Sequence, residues 1–138
     1  MEESIKIEEA IAKALKLEAV DPRTYSPLVL AYIGDAVYEL LIRTKVINHG
    51  SMQVNKMHKK SASLVKAETQ ANIIKAIQED LTEEELAVYK RGRNAKSATT
   101  AKHATMIDYR MATGFEALVG YLYLQARHDR LLELIRDG

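Results

Sequence analysis

The chain has 138 residues, of which 47% are hydrophobic and 28% charged, with a formal net charge of +1 and no cysteine. This balance is typical of a globular protein and argues against a disordered chain, while the lack of cysteine excludes disulfides and thiolate metal sites. No apolar run approaches the length of a membrane span, and the acidic N-terminus MEESIKIEEA resembles neither a signal nor a transit peptide. We therefore expect one domain over residues 1–138, located in the cytoplasm without a membrane partner.

The periodicity of apolar residues predicts helices from the start of the chain. The first is predicted over residues 4–17, and Asp21-Pro22-Arg23 forms a turn. Ser26-Pro27 reads as an N-cap followed by proline at the first helical position. It opens an apolar helix over about residues 27–45, which stops at Asn48-His49-Gly50. Because this helix is apolar on nearly every side, we expect it at the centre of the core.

The middle of the chain predicts two helical stretches. Residues 51–78 are expected to be helical, with Ser51 as the cap and a break near Ser61. The stretch Thr82–Glu85 has the spacing of a capping box, which opens a short helix through about Arg91.

The last third is predicted to contain one long helix and one short one. Residues 92–105 are polar, basic and rich in small side chains, which indicates an ordered loop or a weak helix. A second apolar helix follows over about residues 108–126, and Leu131–Ile135 forms a last turn or two. The predicted fold class is all-α.

Two acids lie inside the two most apolar helices. Asp35 follows Gly34 in AYIGDAVYEL, and Glu116 lies in FEALVGYLYL. Small residues share or flank the helix face of each acid, so the two backbones can approach closely and bring the buried carboxylates together. Such a pair requires a cation between the carboxylates or a proton on one of them. Arg43 is expected to pair with Glu39, one helical turn away, rather than with Asp35.

Hard oxygen ligands without histidine or cysteine at metal-ligand spacing favour Mg²⁺ or Mn²⁺. Mg²⁺ held by few carboxylates and many waters usually handles phosphates, where it stabilises charge and activates water for phosphodiester hydrolysis. The alternative is that Asp35 and Glu116 only bond helix ends or hydroxyls in the core. The protein would then be a helical scaffold.

The blocks AYIGDAVYEL and, some 80 residues later, FEALVGYLYL resemble the catalytic domain of the ribonuclease III family, from about Leu28 to Arg127. HKKSASLV (58–65) and KRGRNAKS (90–97) are similar to its short subgroup, Mini-ribonuclease III. The resemblance implies a ribonuclease III-like helical bundle. It also implies a homodimer in which each subunit cuts one strand of a double-stranded RNA.

The same resemblance implies roles for the two acids. Asp35 takes the place of the catalytic aspartate and Glu116 that of the metal-binding glutamate, so both are candidate catalytic residues and Mg²⁺ ligands. Longer members carry three further acids, at the positions of Leu28, Ala31 and Thr113 here. This implies one directly held Mg²⁺, or a second ion bound mainly by substrate phosphate. The implied substrate is precursor ribosomal RNA of the large-subunit 23S type; whether Mn²⁺ substitutes and whether a ribosomal protein assists are left open.

Basic charge is collected in two blocks. Val54–Lys66 holds four lysines and Lys90–His103 five Lys or Arg, both without an acid. The chain ends about twenty residues past Glu116, so we expect no double-stranded-RNA-binding domain, and the blocks are then expected to contact phosphates. The predicted RNA-binding residues are Lys59, Lys60, Arg91, Arg93, Asn94, Lys96 and Lys102. Two alternatives stay open: solvated helix faces, and a catalytically inactive dimer that holds structured RNA without cutting it.

Overall fold

The computed structural model describes residues 6–49, 53–95 and 105–138, and these contain helices and no β-strand. In chain order the helices are α1 (Ile7–Ala14), α2 (Pro27–Asn48), α3 (Val54–Val65), α4 (Ala67–Ile77), α5 (Glu83–Asn94), α6 (Met106–Leu124) and α7 (His128–Asp137). Single 3₁₀ turns lie at Pro22–Thr24 and Gln78–Asp80. The predicted all-α class is confirmed. Within these ranges, every helix is too short or too polar to cross a membrane.

Helix α2 lies against α6 at the centre of the fold, as its apolar sequence predicted. The Ser26 hydroxyl accepts a hydrogen bond from the Val29 amide at 3.3 Å, which confirms the predicted cap. Helix α2 ends at Asn48, which is three residues past the predicted range but at the predicted stop. Tyr38 of α2 and Phe115 of α6 are both buried and pack edge to face, with ring centroids 5.4 Å apart. The two helices thus share one core.

Two glycines set how closely these helices cross. A Cβ atom at Gly34 would overlap the backbone carbonyl oxygen of Glu116 and lie 2.8 Å from the Gly120 nitrogen. A Cβ atom at Gly120 would in turn overlap the carbonyl oxygen of Leu30. Only glycine at both positions permits this backbone contact. Because Asp35 follows Gly34, Asp35 lies next to Glu116 at the point where α2 and α6 cross.

The predicted break in this helical stretch exists, but its predicted position near Ser61 is wrong. Ser61 is buried inside α3, and the chain turns instead at Lys66, whose φ of −68° and ψ of 156° end α3 and begin α4. Hydroxyl groups satisfy the free carbonyls at this end of α3: Thr69 Oγ1 donates to Ser63 O and Tyr38 Oη to Leu64 O, both at 2.8 Å. The turn contains neither glycine nor proline, so no local signal in the sequence marks it. The predicted cap at Ser51 lies outside the described residues.

Helix α5 begins with the predicted capping box, in which Thr82 and Glu85 exchange hydrogen bonds between side chain and backbone. It continues past the predicted end at Arg91 to Asn94, so the loop does not start at residue 92. The reason is packing, because a Cβ at Gly92 would lie 2.8 Å from Ala117 of α6. This close approach extends α5 along α6.

The last helix is longer than predicted, since α7 has ten residues and begins at His128. Its first turn is polar and has no apolar periodicity, but Arg130 donates to the buried Glu85 carboxylate at 2.7 and 2.8 Å and to the Asp80 carbonyl at 2.8 Å. Burial raises the pKa of Glu85, yet the hydrogen bonds from Arg130 and from the Thr82 backbone outweigh it and leave the pKa below its usual value. This ion pair fixes α7 against α5.

Helix α1 ends at Ala14, before the predicted end at residue 17, and it has no buried residue. Residues 4 and 5 of the predicted range lie outside the described residues. A contact of 2.6 Å between Glu8 Oε2 and His128 Nε2 ties it to the start of α7. It therefore lies on the outside of the helical core.

Candidate active site

Asp35 and Glu116 are brought together where α2 crosses α6. Burial, together with hydrogen bonding to the adjacent Asp35 and the charge of that side chain, raises the pKa of Glu116 to about 8. The expectation that both acids are buried is wrong for Asp35, which is exposed, whereas Glu116 is half-buried. Asp35 lies on the solvent-facing side of α2 together with Tyr32, which is 83% exposed. The pair therefore lies at the edge of the core, where a substrate can reach it.

Two further side chains interact electrostatically with Glu116: Gln70 and Tyr38. Neither interaction was predicted from the sequence. Gln70 of α4 is only 2% exposed, and its amide faces the carboxylate and works against the rise in pKa. Burial and the charge of Glu116 raise the pKa of Tyr38 to about 12, so its hydroxyl stays protonated and donates to Leu64 O. A signal for Gln70 did exist, because it lies one turn before Ile74 on the apolar stripe of α4.

The donor set fits a hard divalent cation that takes few protein ligands. In the described parts of the chain, the side chains that change the pKa of Glu116 are Asp35 and Gln70, and neither is cationic. Arg43 pairs with Glu39 at 2.7 Å, as predicted. Among the described residues there is no cluster of three or more His, Cys, Asp or Glu that could hold a metal. Two oxygen donors with open solvent beside them match Mg²⁺, which keeps several waters or phosphate oxygens in its shell.

The predicted RNA-binding residues fall into three groups. Lys59 and Lys60 are exposed on α3, and Arg91 and Asn94 are exposed on α5. Arg93 is half-buried, with its guanidinium 5.6 Å from the centre of the Tyr89 ring. Lys96 and Lys102 lie outside the described residues. Binding of RNA by these seven residues stays a prediction.

Comparison with known proteins identifies the family. The sequence model of the Ribonuclease III domain matches residues 28–127. The chain belongs to the ribonuclease III family. It is 55% identical to the Mini-ribonuclease 3 of Clostridium tetani, over 84% of this chain and 78% of that protein. It is 48% identical to the Mini-ribonuclease 3 of Brevibacillus brevis, over 86% of this chain and 88% of that protein.

A solved structure agrees with the assignment to the ribonuclease III family. The crystal structure of a protein from Fusobacterium nucleatum superposes with a TM-score of 0.78 at 35% identity, covering 86% of this chain and 94% of that one. The predicted resemblance is therefore confirmed, and the protein is an endoribonuclease of the ribonuclease III type rather than a helical scaffold.

Proposed function

We propose that this protein is a Mg²⁺-dependent endoribonuclease that cleaves double-stranded RNA, with Asp35 and Glu116 as its metal ligands and catalytic residues. The observation that carries this proposal is the meeting of the two carboxyl groups at the crossing of α2 and α6, where no cationic side chain of the described residues acts on Glu116. Enzymes of this family act on double-stranded RNA. Family membership therefore supplies the substrate class, and the paired acids supply the chemistry.

The two acids would have different roles in holding the cation. Glu116 is held by the core on one side, so it offers a ligand oxygen in a fixed position, whereas the exposed Asp35 offers one that faces incoming substrate. When bound, Mg²⁺ supplies charge stabilisation at the phosphate and lowers the pKa of a water ligand. Because burial and Asp35 raise its pKa, Glu116 would have to give up a proton before it could hold the cation. Tyr38 stays protonated and keeps the end of α3 against α2.

The direct test of this function is a cleavage assay on the purified protein. A labelled RNA duplex is incubated with Mg²⁺ or with EDTA, and the corresponding single strand serves as the control. We expect cleavage of the duplex with Mg²⁺ alone and little cleavage of the single strand. A duplex that is bound but left intact would instead support an RNA-holding protein without activity.

We further propose that the protein acts in the cytoplasm on precursor ribosomal RNA of the large-subunit 23S type, and that Mn²⁺ can replace Mg²⁺. The resemblance to Mini-ribonuclease III supports this substrate. The test compares a stem of 23S precursor RNA with an unrelated duplex of equal length. Faster cleavage of the precursor stem at one position supports the proposal, and equal rates at scattered positions contradict it.

Basic side chains of α3 and α5 are expected to hold the duplex through its phosphates. Lys59, Lys60 and Arg91 are exposed, and within the described part of the chain none of them forms an ion pair. Replacing all three by glutamine should weaken duplex binding and reduce the salt slope of log K by about 1 for each phosphate that is no longer bound. The control is Lys13→Gln on α1, which should leave the slope unchanged. A triple variant with the wild-type slope would place the RNA on another face.

We propose that a second copy of the chain covers the exposed apolar face of α2. Leu28, Val29, Tyr32 and Leu40 are between 39% and 83% exposed there, which is unusual for the central helix of a monomer. Tyr32→Glu should therefore convert a dimer to a monomer in analytical ultracentrifugation. Ile107→Glu is the matched control, because Ile107 of α6 is also 70% exposed. A wild-type monomer, or a Tyr32→Glu dimer, contradicts the proposed interface.

A further inference from the structure

Gln70 is a buried polar residue in the first turn of α4. It is 2% exposed and is followed on the same helix face by the fully buried Ile74 and Ile77. Removing an amide from water costs about 1–3 kcal/mol unless a hydrogen bond replaces the lost ones. An apolar residue would therefore fit this position better if packing were its only role.

The Gln70 amide acts on Glu116, and its donor atom has no hydrogen-bond partner among the described residues. This atom, Nε2, is buried. Buried donors without a partner are rare in native proteins, and each requires a physical reason. The side chain nevertheless faces the Glu116 carboxylate closely enough to favour its ionised form. A buried, unpaired donor thus lies beside the Glu116 carboxyl group.

We propose that Gln70 is a positioning residue that donates a hydrogen bond from Nε2 to the ionised Glu116 carboxylate and fixes this carboxylate for a divalent cation. This inference rests on the proposed function, because it requires the cation that Asp35 and Glu116 would hold. Hydrogen bonds to a ligating carboxylate orient it, and their loss typically lowers metal affinity about 10- to 100-fold. Gln70 would thereby couple the core packing of α4 to the geometry of the site.

A purely structural role for Gln70 would have a different effect on the melting temperature and on its dependence on metal. If the amide stabilised the core, replacing it would lower the melting temperature with and without metal and leave the metal concentration dependence unchanged. If it positions Glu116, the metal-free protein contains an unpaired donor. An apolar replacement would then leave the metal-free melting temperature unchanged or raise it, because the unpaired group is removed.

The experiment measures the melting temperature of the full chain as Mg²⁺ is titrated, together with duplex cleavage at each concentration. We expect Gln70→Leu to match or exceed the wild type without metal, and to require about tenfold more Mg²⁺ for half of the metal-dependent gain. Cleavage should shift to the same higher Mg²⁺ concentration. Gln125→Leu is the matched control: Oε1 of Gln125 is also buried without a hydrogen-bond partner among the described residues, but the residue lies at the end of α6. It should leave the Mg²⁺ dependence unchanged.

Gln70→Met, which keeps the length and flexibility of glutamine, is measured beside Gln70→Leu. If either variant folds and responds to Mg²⁺ as the wild type does, the positioning role is overturned and the proposed function stands. It is also overturned if neither variant folds, because the amide is then needed for the core. A wild-type protein whose melting temperature and cleavage do not respond to Mg²⁺ overturns the proposed metal site, and the role of Gln70 with it.

Discussion

Asp35→Asn is expected to abolish cleavage of duplex RNA in Mg²⁺, with a fall in rate of about 10³-fold or more, because one of the two proposed metal-binding charges is lost. Asparagine keeps the size of the side chain, and Asp35 is exposed, so the fold should not change. Removing a carboxylate beside Glu116 also relieves repulsion, since Asp35 raises the pKa of Glu116. We therefore expect a melting temperature equal to or above that of the wild type, and unchanged duplex binding, since the proposed phosphate contacts lie elsewhere. The measurements are cleavage, RNA binding and melting temperature on the same preparation.

Glu39→Gln is the control for this variant. Glu39 lies one turn further along α2 and pairs with Arg43 on the surface. The same change of charge at this position should alter the cleavage rate by no more than a small factor, because exposed ion pairs contribute only about 0–1 kcal/mol. An Asp35→Asn variant that cuts at a rate close to that of Glu39→Gln would refute the assignment of Asp35.

Gly34→Ala is expected to destabilise the protein by about 3 kcal/mol, because an added methyl group at a close backbone crossing forces the two helices apart. The new Cβ would overlap the carbonyl oxygen of Glu116, which belongs to the backbone and cannot rotate away. For a chain of this size, the melting temperature should fall by about 10 °C. Cleavage by the remaining folded protein should also decrease, since Asp35 and Glu116 lie on the two helices that separate. Thermal unfolding and cleavage measured below the new melting temperature test both effects.

Helix propensity alone predicts the opposite sign for this variant, because alanine in a helix is favoured over glycine by about 1 kcal/mol. Ala87→Gly measures that preference within the same protein, since Ala87 is an exposed residue of α5. It should be destabilised by about 1 kcal/mol. A Gly34→Ala protein that is more stable than the wild type would show that α2 and α6 do not cross as closely as described.

The starts of α2 and α5, which depend on local chemistry, could be predicted from the sequence. Ser26 and Thr82 cap α2 and α5 because each side chain accepts a hydrogen bond from an amide three residues ahead. Helix boundaries that depend on residues distant in sequence could not be predicted. The turn at Lys66 is stabilised by Tyr38 and Thr69, and the start of α7 by the ion pair between Arg130 and Glu85. The spacing of apolar residues along the chain gives no information about such interactions between distant side chains.

The same distinction applies to the site. The proximity of Asp35 and Glu116 could be inferred from the small residues beside them. A close approach of two helix backbones needs glycine at the crossing. The side of α2 that faces solvent could not be inferred from the sequence. The exposed face of α2 is also apolar, so no polar stripe marks it. The position of Gln70 on the apolar stripe of α4 indicates that it is buried, but the group that it faces could not be predicted. One polar residue in an amphipathic helix does not reveal which distant carboxylate its amide will face.

The measurement that tests the paired-acid site most directly is anomalous X-ray diffraction from crystals soaked in Mn²⁺. We predict one strong peak between α2 and α6, with oxygens of Asp35 and Glu116 both at about 2.0–2.2 Å from the ion. Crystals of Asp35→Asn should lose this peak or show it weakened under the same soak. Manganese bound elsewhere, with neither carboxylate touching it, would contradict a catalytic metal site at this crossing.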